Sequence, residues 1–106
     1  MIKNPNRICP ECGVEFTATH GRQAYCTPAH KRSFEAVQRV RGLVSAPFML
    51  AWRSGKRGAS ADSTYALREL TSMIDAWKRE DAACGRRSDI VVTAKREMGW
   101  RAADLG

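Results

Sequence analysis

No apolar run in this 106-residue chain approaches the roughly 18 residues of a membrane span. No membrane partner is therefore expected. The start, MIKNPNRI, is polar and has no apolar signal core, which points to a cytoplasmic protein. Aromatics make up only 8% of the residues, enough for a modest core and no more. Histidine occurs twice, at positions 20 and 30. No Ser-His-Asp set, paired active-site carboxylates or phosphate-binding glycine loop is legible, so catalysis is not expected. Cysteine occurs four times, and three of the four lie between Cys9 and Cys26. Acid is short in the front of the chain. Up to Gly58, ten Lys and Arg face only Glu11, Glu15 and Glu35, whereas beyond it eight basic residues meet eight acidic ones. The whole net charge of +7 therefore resides in the half that carries the clustered cysteines.

In a reducing compartment, closely spaced cysteines read as metal ligands before they read as disulfides. The spacing here is Cys9-x2-Cys12, thirteen residues, then Cys26-x3-His30. A CxxC pair on a tight turn aims two sulfurs at one point. Gly13 supplies the backbone freedom that such a turn needs, and Pro10 stiffens its entry. Val14 to Ala18 alternate as a strand does, Thr19-His20-Gly21-Arg22 reads as a turn, and Gln23 to Tyr25 is expected to return as a second strand. Thr27-Pro28 reads as an N-cap followed by proline at the first helical position. Cys26 then precedes the helix and His30 enters it, on the face shared with Phe34 and Val37. Cys9, Cys12, Cys26 and His30 are thus expected to bind tetrahedral Zn²⁺. A sphere closed by four protein ligands is structural, not catalytic. His20 is the competing fourth ligand, at the expected hairpin tip. Cys84 stands alone on a helical apolar face and is expected to fill a small core position. Three thiolates on a zinc ion leave the net charge at roughly +6.

The knuckle CPECG, Phe16, and Tyr25-Cys26-x3-His30 entering a basic helix resemble the treble-clef zinc fingers of short bacterial and phage proteins with a CxxCGxxF…YC pattern. The resemblance covers roughly Ile8 to Val40. It implies a zinc knuckle, β-hairpin and helix, with a histidine where the pattern usually ends in cysteine. Such modules serve DNA binding, RNA binding, protein adaptors and some nucleases.

The expected fold class is small α+β: a zinc-finger module over residues 1–44, then a helical region over 45–106. The first helix is expected to end near Gly42, because Arg41 falls near its apolar face. A short helix is expected to start at Ser45-Ala46-Pro47 and close at Gly55. Arg53 to Gly58 reads as a basic loop. Ala66, Leu70, Met73, Ile74 and Trp77 form one side of an amphipathic helix that Asp62 or Ser63 would cap and Gly85 would end. Its stripe is expected to pack near Trp52. Ile90 to Thr93 is β-branched and strand-prone, but Ser88 or Asp89 is a good N-cap, and a helix to Met98 is expected. Trp100 is expected to dock on the body.

A rigid metal scaffold with Lys and Arg on its helix is the footprint of phosphate contacts. The leading expectation is nucleic-acid binding, DNA before RNA, in a regulatory role, through Arg22, Lys31, Arg32, Arg39, Lys56 and Arg57. The alternative is an adaptor that docks on a larger machine, such as RNA polymerase or the ribosome, through its C-terminal helices.

Overall fold

The structure, a computed structural model, describes residues 2, 4–54 and 61–99. Two short antiparallel strands, β1 (Asn6–Ile8) and β2 (Glu15–Thr17), are followed by two long helices, α1 (Pro28–Ser54) and α2 (Ala61–Cys84). A single 3₁₀ turn (Ser88–Ile90) leads into a short α3 (Val91–Glu97). The expected small α+β class holds. None of the helices is long and apolar enough to cross a membrane. The chain forms two compact units: the described residues of Met1–Phe34 with those of Asp81–Gly106, and Glu35–Glu80. The division expected after residue 44 falls inside α1, which runs through it without a break.

In the first unit the strands flank the knuckle. Asn6 pairs with Thr17, Arg7 with Phe16 and Ile8 with Glu15. The second strand expected at Gln23–Tyr25 is absent, and its role falls to β1, which the sequence reading did not assign to the sheet. The reason lies in Gln23. Its side-chain oxygen accepts from the backbone N–H and hydroxyl of Thr19, and its amide donates to the Tyr25 carbonyl. These bonds tie Thr19–Tyr25 into a closed loop, so its polar groups are satisfied without a ladder. Cys9, Tyr25 and Phe34 form the buried cluster, with Phe16 and Val91 packed on it, and the Tyr25 and Phe34 rings lie 5.5 Å apart.

In the second unit the two long helices pack through Ala66, Leu70, Arg41, Ser45 and Ser63, all buried. Neither Gly42 nor Pro47 ends α1. A mid-helix Gly costs about 1 kcal/mol and a Pro about 3 kcal/mol, which interhelical packing must offset. Pro47 and Leu43, the residue whose carbonyl loses its helical donor to the proline ring, are both exposed side chains of α1. Arg41, expected to stop the helix, is instead accommodated. Its guanidinium lies 5.5 Å from the Trp77 ring centroid and 4.0 Å from Glu80. Ser63, expected as a cap, is buried inside α2 and donates to the Trp52 carbonyl near the end of α1. The Phe48 and Tyr65 rings lie 6.3 Å apart. Of the expected α2 stripe, Ala66 and Leu70 are buried, Met73 and Trp77 are half-buried, and Ile74 is exposed. Gly85 ends α2 with φ 80°, as expected. The strand-prone run from Ile90 is helical.

Candidate metal centre

The knuckle is a turn closed by its own backbone. The Gly13 N–H donates to the Cys9 carbonyl at 2.8 Å, and the Cys9 N–H donates to Val14 at 3.0 Å. Gly13 has φ 73°, a conformation that favours glycine. The turn carries Cys9, fully buried, and Cys12 on one side of the site. The start of α1 supplies the other side. Thr27 caps the helix by accepting the His30 N–H at 3.1 Å, and Pro28 is the first helical residue, as the sequence led one to expect. That cap fixes Cys26 just outside the helix and His30 in its first turn.

The four donor atoms all lie within 4.8 Å of one another. Cys12 Sγ is 3.8 Å from Cys26 Sγ, Cys9 Sγ is 3.8 Å from His30 Nδ1, and Cys26 Sγ is 3.0 Å from the same nitrogen. Sulfurs at about 2.3 Å from a tetrahedral ion stand about 3.8 Å apart, so the cage has the size of such an ion. The electrostatics agree. Burial raises the Cys9 thiol, but the backbone N–H groups of Cys26 and Cys12 and the His30 ring outweigh it and hold its pKa at about 7. Cys26 is pushed up to about 11 by burial and by the adjacent Cys9 and Cys12 sulfurs. The protein's own groups thus favour one thiolate and oppose the next. A divalent cation removes that opposition, because it stabilises every thiolate around it. The Cys9/Cys12/Cys26/His30 cluster is suited to a metal ion.

His20 is exposed in the Thr19–Gln23 loop and does not belong to this cluster. His30→Ala should therefore weaken metal binding by at least about 100-fold, while His20→Ala should leave it within about twofold. Competition with a chromophoric chelator measures both, and the reverse ranking would place the fourth ligand in the loop. Cys84, expected in a core, is instead exposed as the last residue of α2, its thiol against the Asp81 carbonyl.

Sequence reasoning missed the groups that brace the knuckle from the far end of the chain. The Arg87 N–H donates to the Pro10 carbonyl at 2.6 Å. The Arg86 guanidinium binds Glu11 at 2.9 Å and Asp81 at 3.3 Å, and Ser33 donates to the same Glu11 carboxylate. Burial would raise the Glu11 carboxyl, but the Arg86 and Ser33 hydrogen bonds outweigh it and hold it below the ordinary range. A Cβ on Gly13 would lie 2.5 Å from the Gly85 carbonyl oxygen, so glycine at 13 is also required by this close approach. Periodicity could not reveal the pairs Arg87–Pro10, Arg86–Glu11 and Gly85–Gly13, because each joins residues more than seventy positions apart.

Of the expected nucleic-acid contacts, Lys31, Arg32 and Arg39 are exposed on α1, with Arg32 and Arg39 two turns apart on one helical face. Arg22 is exposed in the loop and lines a cleft of about 710 Å³, together with Arg7, Ile8, Thr93 and Met98. Lys56, Arg57 and Trp100 lie outside the described residues. No protein-family model matches the chain, and no curated protein or solved structure matches it significantly.

Proposed function

We propose that this chain is a zinc-stabilised nucleic-acid-binding protein. Its knuckle and helix start hold one Zn²⁺ through Cys9, Cys12, Cys26 and His30 in a treble-clef arrangement. Three thiolates and an imidazole are a preferred zinc donor set, and four protein ligands leave no position for a reacting water. The ion's contribution is to fix the start of α1 in place.

The observation that carries the nucleic-acid reading is the placement of Lys31 and Arg32. They stand exposed at the N-terminal end of α1, directly after the last ligand, in a helix with no acidic residue in its first turn. The helix macrodipole disfavours cations there by about 0.3–1 kcal/mol each. Helix stability therefore does not account for them, whereas an anionic partner does. Arg39 continues the same face, and Glu35 is the single acidic side chain of α1.

Phosphate contacts release condensed counterions, so affinity for duplex DNA should fall with salt by a log–log slope of about −0.9 per contact. Arg32→Ala with Arg39→Ala should flatten that slope by about two units, at little cost to folding because both side chains are exposed. Lys78→Ala with Arg79→Ala, exposed on α2, should change it much less. Fluorescence anisotropy between roughly 50 and 200 mM salt reads both pairs. No binding at low salt, or a slope unmoved by the first pair, would transfer the function to protein docking.

A further inference from the structure

The face of α1 turned away from α2 is apolar. Val40 is 61% exposed, Leu43 73% and Leu50 69%, and Ala36, Val44 and Pro47 are exposed beside them. Their order, 36-40-43-47-50, steps by four, three, four and three. That is the seam of a coiled coil, with Ala36, Leu43 and Leu50 at d and Val40 and Pro47 at a. A seam of this kind is distinct from the inner face of α1, whose Arg41 and Ser45 already pack within the helical pair. We propose that this outer face is a homodimer interface, in which α1 of a second copy packs in parallel along the same seam.

Two arguments select a second copy, and one sets its direction. The outward apolar surface is roughly 500 Å² per copy, at the upper end of what a monomer leaves bare. Two copies together reach about 1,000 Å², the lower bound for a specific interface. Val40 at a, with Leu43 and Leu50 at d, follows the pattern that favours two parallel strands, while Pro47 holds the second a position and Ala36 the first d. The charges agree with that direction. Arg39 and Arg53 occupy g positions, and Val37, Val44 and Ala51 occupy e. A parallel pair lays the Arg39 stem over Val44 of the second copy, with no like charge opposite. An antiparallel pair centred on the seam would set Arg39 against Arg53.

The seam spans only about two heptads, so the dimer should be weak, with a dissociation constant on the order of 10 µM. Each metal-loaded copy carries a net charge of roughly +6, so salt should strengthen association by screening. That is opposite in sign to the salt dependence of phosphate binding, and the measurement uses no nucleic acid. Failure of one reading is therefore separable from failure of the other.

Sedimentation equilibrium of the metal-loaded full chain tests the dimer. A concentration-dependent monomer–dimer transition is expected, shifted toward dimer in higher salt. Leu43→Glu and Leu50→Glu should each weaken it by at least about tenfold with helicity by circular dichroism unchanged, because both side chains are exposed in the single copy. Ile74→Glu, on the exposed side of α2, should leave it in place. Ala36→Cys in a Cys84→Ser background should form an interchain disulfide on mild oxidation, since d positions face each other in a parallel pair. A monomer at every concentration, a dimer indifferent to both glutamates, or no crosslink at position 36 would each overturn the proposal.

Discussion

Cys26→Ser is expected to abolish high-affinity metal binding and to leave the first unit without a fixed fold, while the helical pair of the second unit persists. The unit's own core is small: among the described residues, Cys9, Tyr25 and Phe34 form its buried cluster, and one of the three is itself a ligand. Ordering each residue costs roughly 1–2 kcal/mol, which so few buried side chains do not offset. Structural zinc contributes on the order of 10–16 kcal/mol at neutral pH, and that term dominates. Purified wild-type protein should contain about one zinc per chain, and the variant a small fraction of one. Amide exchange should show protection lost across the knuckle and the start of α1 but retained around Ala66 and Leu70. A metal content below about a tenth of an equivalent from metal-replete cells would refute the zinc assignment. Retention of knuckle protection in Cys26→Ser would show that the core suffices without the ion.

Truncation after Gly58 is expected to weaken metal binding by about 10²–10³-fold, although all four ligands remain. By sequence, the metal module is expected to be self-contained, since its ligands end at His30 and the expected boundary lies at residue 44. In the structure, the same compact unit includes the segment after Asp81. Truncation removes the Arg86 guanidinium that pairs with the half-buried Glu11, a charge-assisted hydrogen bond worth roughly 1.5–3 kcal/mol. It also removes the Arg87–Pro10 hydrogen bond, worth about 1 kcal/mol, and the apolar cover of Val91. Because folding and metal binding are linked here, these losses are read out as metal affinity. Chelator competition on the truncated and full chains measures the difference. Gly13→Ala in the full chain should shift affinity in the same direction, because it forces Gly85 away from the knuckle. Equal affinity in the truncated and full chains would mean that the C-terminal brace contributes nothing to the metal site.

The metal centre was legible in the sequence because its determinants are local. Cys9 and Cys12 share one turn, Thr27 and Pro28 set the start of a helix, and a helix start places His30 one turn beyond Cys26. Gly85 was legible for the same reason, since a helix end is set by the residue that can adopt a positive φ. The sequence also determined where the charge lies, and with it which face of α1 is basic.

Tertiary structure alone decided the rest, wherever a local preference competed with a distant partner. Gly42 and Pro47 favour a break, but α2 lies alongside α1, and the Trp77 ring and Glu80 accept Arg41, so one helix of 27 residues outweighs two short ones. Gln23–Tyr25 could have been a strand, but the Gln23 side chain satisfies the loop and β1 takes the place beside β2. Ile90–Thr93 is β-branched and strand-prone, yet it is helical, and Val91 packs on the Cys9–Tyr25–Phe34 cluster. Glu11 and Arg86 stand seventy-five positions apart, and no periodicity in the sequence connects them. Pairing across such a distance is decided only when the chain has closed, because the entropy of closing it is offset by the whole packed unit and not by either residue.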